Sequence, residues 1–422
     1  MFRKVFSLLL MVSLVFSLAA CSGSSKTSSD GKDSDGKVTL TLWYWNRSLD
    51  DALLAKVKEQ FPNVNLKAQK IDGADYKTKL QTTLASGSGA PDIVALNDWV
   101  TEFLPNSDQF VNLLDMGADE LKNQYLEWKW NYALTPDKKT LIALPIDTGP
   151  TALFYREDLF KQAGLPTDPA EVSAQLSTWE DYIKAGEKLK AATGVKMFDS
   201  INRVFTQYLS QSDSAFFDEK DKFIGDSGNV KKAWDLAMEV HDKDLSANLV
   251  DGTEWNAAMN NGKIASFIGA VWTKKILKDA APDTAGKWRI ARAPGGDGNN
   301  GGSFLGITKS SKHAKEAYKV ISWLMNPENQ LQAYKTMDLF PSTPSVYDDP
   351  SMSSEEEFFG NQNTTEIFTK SAENVKPRYF GPKFSTVNTF FGDQLTNVAN
   401  KKLDPDKAWK DVQKQVKKEL SR

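Results

Sequence analysis

Residues 38–99 alternate between strand-like and helix-like runs, and this alternation limits the possible folds more than any other feature. Three runs are rich in β-branched and aromatic residues or alternate in polarity, as strands do. The two runs between them repeat apolar residues at helical spacing. In order, the runs are strand 38–45, helix 49–61, strand 63–69, helix 75–85 and strand 92–96. A β-α-β-α-β order predicts a mostly parallel sheet with helices on its faces.

The rest of the 422-residue chain continues this α/β pattern and shows no internal repeat. Further strands are predicted at 151–155, 264–268, 288–292 and 303–307, and further helices at 157–163, 179–191, 227–242, 253–260 and 312–325. A last helix begins after Asp404-Pro405, and we expect its apolar stripe to pack on the core. That stripe consists of Trp409, Val412, Val416 and Leu420. The chain is long enough for two or three domain-sized units.

The N-terminus has the pattern of a secretory signal peptide. Arg3 and Lys4 precede an apolar run at 5–18, and small residues then lead to Cys21. The sequence Leu18-Ala19-Ala20-Cys21 resembles a bacterial lipobox, in which the cysteine receives a diacylglyceryl group and becomes the new N-terminus. An ordinary signal peptide with an incidental cysteine is the alternative.

The lipobox reading predicts that residues 1–20 are removed and that residues 21–37 form a lipidated cysteine followed by a tether. Residues 22–37 contain no apolar side chain, so we expect this tether to be disordered. The predicted location is the extracytoplasmic face of the cell membrane, to which acyl chains would anchor the protein.

Charge and residue content exclude several classes of function. The formal net charge of −3 becomes about −5 once Arg3 and Lys4 are removed, and no basic block is present, so nucleic acid is not a predicted partner. His241 and His313 are the only histidines, too few for a histidine metal cluster or an evident triad. The glycine-rich stretch 295–302 matches neither a phosphate loop nor a calcium loop. We therefore predict no catalytic residue, metal or cofactor.

Six segments, in their order and spacing, carry a family resemblance. They are TLTLWYWN at 39–46, GAPDIVALNDW at 89–99, ALPIDTGPTALFYREDLFKQAGLP at 143–166, NGKIASFIGAVW at 261–272, GGSFLGITKSSKHAKEAYKVISWLMNPENQ at 301–330 and KPRYFGPKFSTVNTFF at 376–391. Together they resemble the large extracellular solute-binding proteins of sugar-importing ABC transporters, the class that includes maltose-binding protein.

The resemblance implies an α/β fold of the two-lobe, periplasmic-binding-protein-like kind, in its larger, type II-like form. Each lobe would be a mostly parallel sheet flanked by helices, and a multi-strand hinge would join the lobes. The N-terminal lobe would comprise 38–147 and 304–345, and the C-terminal lobe 148–303 and 346–422. The implied function is to bind a carbohydrate, an oligosaccharide, and deliver it by hinge closure to the permease subunits of an ABC importer. The expected state is a monomer.

Candidate ligand-binding residues follow the predicted strands. In open α/β sheets, ligands bind beyond the carboxyl ends of strands, where this chain has polar and aromatic side chains. They are Trp45, Asn46, Asn97, Asp98, Trp99, Asp147 and Gly149. Two alternatives stay open, because Asp98 fits a helix cap and Asp147 fits a hinge turn.

The resemblance adds further contacts. Trp272 stands near the family's Gly-x-Trp pattern, here extended by one residue as Gly269-Ala270-Val271-Trp272, and is the expected stacking platform for a sugar ring. The chain contains 12 tryptophans, most of which we expect in the core. The other implied contacts are Asn202, Arg203, Gly302, Ser303, Arg378 and Tyr379.

Three other functions remain open from the sequence. The first is a binding protein for a polyamine, a peptide or an anion. The second is an extracellular carbohydrate-active enzyme, which would need two carboxylates on either side of the scissile bond. The third is a structural surface lipoprotein such as an adhesin.

Replacing the only cysteine tests the anchor. The Cys21→Ala variant should leave the membrane fraction and appear in the soluble extracytoplasmic fraction, because the acylated sulfur is lost. Its ligand affinity should equal that of the wild type. A variant that stays with the membrane, or that binds ligand more weakly, would contradict a role of Cys21 in tethering alone.

Overall fold

A computed structural model describes residues 36–250, 252–401 and 403–421 of the chain. Cys21, the signal sequence and most of the expected tether therefore lie outside the described residues. The strands are β1 (Val38–Tyr44), β2 (Val64–Lys70), β3 (Ile93–Leu96), β4 (Ala143–Pro145), β5 (Asp147–Thr148), β6 (Thr151–Arg156), β7 (Ser266–Ala270), β8 (Trp288–Ala291), β9 (Phe304–Ile307), β10 (Phe340–Pro341), β11 (Glu355–Glu356) and β12 (Gln362–Asn363).

Helices surround these strands. The α-helices are α1 (Asp51–Gln60), α2 (Gly73–Ser86), α3 (Glu127–Tyr132), α4 (Glu157–Gln162), α5 (Pro169–Gln175), α6 (Trp179–Thr193), α7 (Ile201–Ser210), α8 (Gly228–Asp242), α9 (Thr253–Asn260), α10 (Thr273–Ala280), α11 (Ala314–Leu324), α12 (Pro327–Met337), α13 (Thr365–Glu373), α14 (Phe384–Lys401) and α15 (Pro405–Leu420). Short 3₁₀ helices span Asp98–Gln109, Leu113–Met116, Ala118–Gln124, Pro282–Thr284, Pro344–Val346, Pro350–Met352 and Glu357–Phe359.

The first lobe is built on a five-stranded sheet with the order β2-β1-β3-β9-β4. Strands β1, β2 and β3 are parallel, as the β-α-β-α-β pattern predicts. Inward-facing Leu40 and Leu42 of β1 are fully buried, while Thr41 between them is partly exposed. Strand β9 is antiparallel to β3 and to β4, so the sheet is mixed.

The second lobe contains a three-stranded sheet with the order β7-β6-β8, and both pairings are antiparallel. The expectation of a mostly parallel sheet in each lobe is therefore wrong for this lobe. The reason is the direction in which the chain passes between the lobes. Strand β6 starts at the crossing and runs away from it, whereas β7 and β8 run back toward it. In the described part of this lobe, parallel pairing appears only as single bridges, at Lys196 with Ile264 and at Phe198 with Ser246.

Three backbone segments cross between the lobes and are hydrogen-bonded to one another. Strand β5 pairs with β10 in antiparallel fashion. The Ile146 N–H donates to the Ser303 carbonyl at 2.9 Å, and the Asn300 N–H donates to the Gly149 carbonyl at 2.8 Å. A β-carbon on Gly149 would lie 1.9 Å from the Asn300 carbonyl oxygen, so this approach requires glycine. We propose that the lobe limits lie at these crossings, near 147/148, 303/304 and 345/346.

The C-terminal helices complete the core of the second lobe. Phe391 of α14 stacks on Phe205 of α7 with ring centroids 5.5 Å apart, and Trp409 of α15 packs against Trp234 at 5.4 Å. Of the predicted apolar stripe, Val412 and Val416 are fully buried, and Trp409 is partly buried. Leu420, at the end of the helix, is 37% exposed.

Two searches of the described residues were negative. None of the helices there is both long and apolar enough to cross a membrane. Nor do the described residues bring together three or more histidine, cysteine, aspartate or glutamate side chains that could hold a metal ion.

The stripe on α15 gives a test of this packing. Val412→Ala should lower the free energy of unfolding by about 1–2 kcal/mol, because two buried methyl groups are lost from a filled interior. Lys414→Ala, on the exposed face of the same helix, should change it by less than ~0.5 kcal/mol. Denaturant titration of both variants checks this. Equal effects of the two substitutions would mean that α15 does not pack as described.

Candidate functional site

A cavity of about 190 Å³ lies between the lobes, and we call it the central chamber. Both lobes contribute to its wall. Its polar lining includes Asp98 and Tyr132 from the first lobe, and Arg203, Gln207, Ser210 and Arg378 from the second. The loop Asn299–Gly301, next to the crossing segments, also lines it. The chamber therefore offers hydrogen-bond donors and acceptors from both lobes to one small volume.

Asp98 reaches the chamber because β3 ends just before it. Asn97 caps the following 3₁₀ helix, and its side-chain oxygen accepts from the Asp98 N–H at 2.9 Å. The capping role considered for Asp98 thus belongs to Asn97, and Asp98 is the first helical residue. Burial raises the pKa of Asp98, and the charge of Lys129 opposes this rise.

Lys129 is a feature that sequence reasoning missed. Its side chain is fully buried, and its Nζ has no hydrogen-bond partner among the described residues. The Nζ lies 3.7 Å from the centroid of the Phe304 ring, a cation–π contact. Burial lowers the pKa of Lys129 to about 7, against the opposing charges of Asp147 and Asp98. Lys129 thus interacts electrostatically with the carboxyl groups of both Asp98 and Asp147 at the base of the cleft.

Asp147 belongs to the hinge and not to the chamber wall. It is buried, and its Oδ1 accepts from the Ser303 N–H at 2.6 Å. Gly302 lies beside it with φ +91°, where a β-carbon would come within 2.6 Å of the Asp147 carbonyl oxygen and 2.7 Å of the Lys129 Nζ. The Gly149 N–H donates to the Asn299 side-chain oxygen at 2.8 Å. These residues hold the crossing segments, so a direct ligand contact remains a prediction for Asp147, Gly149, Gly302 and Ser303.

The second lobe presents side chains that are already held in place. The Arg203 Nε donates to Asp199 Oδ2 at 2.6 Å, and burial raises the pKa of Asp199 against the pull of Arg203. The Gln207 Nε2 donates to the Thr151 hydroxyl at 2.9 Å. Asn202 points elsewhere, because its Nδ2 donates to the Thr396 hydroxyl at 2.9 Å on α14. Arg203 therefore lines the chamber, whereas Asn202 does not.

Arg378 extends from the second lobe to the first. Its guanidinium lies 4.5 Å from the centroid of the Phe380 ring, and its Nη1 donates to the Leu209 carbonyl. Burial lowers the pKa of Arg378, with Tyr132 and Asp98 opposing. Its neighbour Tyr379 does not line the central chamber. Its hydroxyl donates to Asp221 Oδ1 at 2.5 Å.

The predicted aromatic contacts lie outside the chamber. Trp45 and Trp99 are half-buried, with ring centroids 6.4 Å apart, and both pack on Tyr76. Asn46 is exposed. Trp272 is half-buried, and its Nε1 lies 3.3 Å from the position of a β-carbon on Gly149. Trp272 lies beside the Asn299–Gly301 loop. Its role as a stacking platform for a sugar ring stays a prediction.

Comparison with known proteins gives the family. A model described as "Bacterial extracellular solute-binding protein" matches residues 46–331. The chain belongs to this family. The solved structure of an extracellular solute-binding protein of family 1 is similar to this chain, with 33% sequence identity and a TM-score of 0.87. The match covers 90% of this chain and 99% of that chain. The family resemblance and the two-lobe α/β fold expected from the sequence are thereby confirmed.

Two relatives of this solute-binding protein have names that state a ligand. The arabinooligosaccharide-binding protein of Bacillus subtilis (strain 168) is 28% identical over 340 residues, which are 76% of each chain. The lactose-binding protein of Rhizobium radiobacter is 26% identical over 295 residues, 66% of this chain and 68% of that protein. Both names describe carbohydrate binding.

The buried ammonium of this solute-binding protein can be titrated directly. In NMR spectra of the wild type, the Cε signal of Lys129 should titrate near pH 7, well below the pKa of ~10.4 of a lysine in a model peptide. Asp98→Asn should move the midpoint lower still, because a charge that favours the ammonium is removed. A midpoint above pH 10 in the wild type would contradict the buried placement.

The same group links stability to pH. The unfolded chain keeps a lysine pKa of ~10.4, so from pH 7 to 9 it binds more protons at this position than the native state. The Lys129 contribution to the free energy of unfolding should therefore increase with pH across this window, by at most ~1.4 kcal/mol per pH unit.

Proposed function

We propose that this protein binds a carbohydrate, an oligosaccharide, in the cleft between its lobes and delivers it to an ABC importer. The observation that supports this most is the central chamber at the strand crossings. Its hydrogen-bonding groups come from both lobes, through Asp98 on one side and through Arg203 and Gln207 on the other. A site built from such groups discriminates well, since a missing hydroxyl leaves buried polar groups unpaired.

The relatives support the same class of ligand. The match covers two thirds or more of the length of the proteins named for arabinooligosaccharide and lactose binding. By similarity to these relatives, we propose carbohydrate binding for this chain. The chamber is consistent with this, because hydroxyl, amide, carboxylate and guanidinium groups line it.

Delivery would depend on the hinge. Ligand that contacts Asp98 alone binds either arrangement of the lobes equally, whereas ligand that also contacts Arg203 favours the closed arrangement. Only the second kind of ligand shifts the population of lobe arrangements. The closed form would then dock on the permease subunits. Hinge closure is a known motion of periplasmic binding proteins, and here it is supported by the three hydrogen-bonded crossings.

The chamber's charges distinguish carbohydrate from two of the alternatives. Asp98 is the one carboxylate lining the central chamber among the described residues, so this chamber by itself lacks the several carboxylates of a polyamine site. Asp147 does not line the central chamber, and its Oδ1 accepts from the Ser303 N–H in the hinge, so Asp98 has no second carboxylate in the described lining. We therefore propose a binding protein without catalytic activity. An anionic or peptide solute is left as an outcome of the test.

The location and assembly complete the proposal. The family description is extracellular, and the lipobox-like sequence at Cys21 supports anchoring to the membrane by lipid. The proposed partners are the sugar, the permease subunits and the membrane surface, with the protein itself a monomer.

A thermal-shift screen of the unlipidated mature chain tests the ligand class. The panel contains mono- and oligosaccharides, polyamines, peptides and small anions. A ligand at 100 times its dissociation constant should stabilise the native state by ~2.7 kcal/mol, so a shift with one group of sugars is the expected result. Shifts confined to amines, peptides or anions would replace the carbohydrate proposal.

Asp98→Asn provides the matched test of the chamber. The amide keeps the shape of the side chain but removes the charge-assisted hydrogen bond, so affinity for the sugar should fall by ~1.5–3 kcal/mol. Asp115→Asn, on a partly exposed 3₁₀ turn of the same lobe, is the control and should bind as the wild type does. Calorimetry that shows unchanged affinity for Asp98→Asn would remove Asp98 from the binding site.

A further inference from the structure

The tripeptide Asn-Asn-Gly occurs twice in the chain, at 260–262 and at 299–301, and these are its only Asn-Gly sequences. An asparagine followed by glycine is prone to lose ammonia, because glycine has no side chain to shield its backbone nitrogen from the asparagine side-chain carbonyl. The first tripeptide lies at the C-terminal end of α9, and the second lies in the loop that lines the central chamber. Because the tripeptides are identical, a difference in their reactivity must come from their surroundings in the fold.

The two sites are alike in most respects. Asn261 and Asn300 are both exposed, and the glycines that follow them have φ angles of +65° and +79°. The preceding residues, Asn260 and Asn299, each have the oxygen and the nitrogen of the side-chain amide in hydrogen bonds. The side chains of Asn261 and Asn300 have no such bond to a described residue. At both sites, therefore, the second asparagine is the one whose side chain is free to react.

The fold distinguishes the two glycine nitrogens. At the end of α9, the Gly262 N–H donates to the Met259 carbonyl at 3.3 Å, and Asn261 has a ψ of 5°, close to the helical turn before it. In the loop, the Gly301 N–H makes no hydrogen bond to a described residue. A nitrogen whose proton is already donated attacks a carbonyl carbon only after that hydrogen bond opens. The surroundings therefore favour reaction at Asn300.

From this difference we infer that Asn300 is a site of spontaneous deamidation. The Gly301 nitrogen attacks the side-chain carbonyl carbon of Asn300 and closes a succinimide ring, and the amide nitrogen leaves as ammonia with the proton that the Gly301 nitrogen gives up. Water then adds to either ring carbonyl and breaks the bond between that carbon and the nitrogen. Opening at the side-chain carbonyl gives aspartate, and opening at the main-chain carbonyl gives isoaspartate. Water is the co-reactant, and nothing is oxidised or reduced.

Both products change the crossing between the lobes. Either one adds a negative charge to a residue that lines the central chamber. Isoaspartate also lengthens the main chain by a methylene group. The backbone is packed too closely to absorb this, because the Asn300 N–H donates to the Gly149 carbonyl at 2.8 Å, and a β-carbon on Gly149 would lie 1.9 Å from the Asn300 carbonyl oxygen. The isoaspartyl product should therefore weaken the hydrogen bonds between the crossing segments.

The test compares the two tripeptides within one protein. The unlipidated mature chain is incubated at mildly alkaline pH, and peptide mapping by mass spectrometry follows deamidation at Asn261 and Asn300 over time. In the native protein, Asn300 should react roughly fivefold faster or more, because the hydrogen bond of the Gly262 N–H must first open. In urea at a concentration that unfolds the chain, the two rates should agree within about twofold, since the surroundings that distinguish the sites are lost.

Two variants separate the reaction from its effect on the crossing. Asn300→Gln should not react at this position on the same time scale, because its longer side chain would have to close a larger ring. After the same incubation, this variant also shows the effect of damage elsewhere in the chain. Asn300→Asp carries the added charge without the longer main chain. Incubated wild type that has accumulated isoaspartate should unfold roughly 1–4 °C below both variants, because backbone hydrogen bonds at the crossing are weakened.

Each outcome bears on the inference. Faster native reaction at Asn300 that disappears in urea would support it. No reaction at Asn300, equal native rates, or faster reaction at Asn261 would overturn it. A preference that persists in urea would overturn it too, because the sequence around the tripeptide would then be the cause. Incubated wild type as stable as incubated Asn300→Gln would overturn the weakened crossing. None of these measurements uses a ligand, so the inference and the proposed function are tested separately.

Discussion

The arrangement of the molecule depends on the hydrogen bond between the Asp147 carboxylate and the Ser303 N–H, at 2.6 Å. This hydrogen bond connects the first segment that crosses between the lobes to the second. The close approach of Gly149 to Asn300 continues the same contact along the backbone. Because both sheets end at this point, the direction of each strand follows from whether it enters or leaves the crossing. The position of the cleft follows too, since strands β3 and β7 end beside it.

The charged side chains at the crossing segments also affect the cleft. A buried Asp147 needs a nearby positive charge, and Lys129 supplies it from α3 while also facing Asp98. Asp98 also lines the central chamber, where its carboxyl oxygens can accept from a sugar hydroxyl. The hinge and the binding surface therefore share one set of charges. A substitution at Lys129 should affect both, which separates it from core residues that affect stability alone.

The β-α-β-α-β pattern of residues 38–99 predicted the parallel part of the first sheet, since its three strands follow one another along the chain with one helix between each pair. Strand-end reasoning named Asp98, and the family resemblance named Arg203 and Arg378. All three line the central chamber, and ligand contact stays a prediction for each. Other parts were out of reach. Helices α7 and α14 carry β-branched and aromatic residues of low helix propensity, and tertiary packing forms them. Tyr132 and Phe380 meet only because the whole chain has folded, and nothing in the local sequence of Lys129 indicates a charge that will be buried.

The second-lobe side of the central chamber is organised before any ligand arrives. Arg203 is fixed by Asp199, which is itself bonded to the Trp255 indole, and Gln207 is fixed by Thr151. Ordering these long side chains on binding would otherwise cost about 0.5–1.5 kcal/mol each. Arg378 differs, because its Nε has no acceptor among the described residues, although its contact with the Phe380 ring holds the guanidinium in place. A ligand oxygen that accepts from this N–H would add a hydrogen bond at the lining of the central chamber. A ligand that pairs this N–H contacts side chains of both lobes at once, and this is the condition under which binding and closure become the same event.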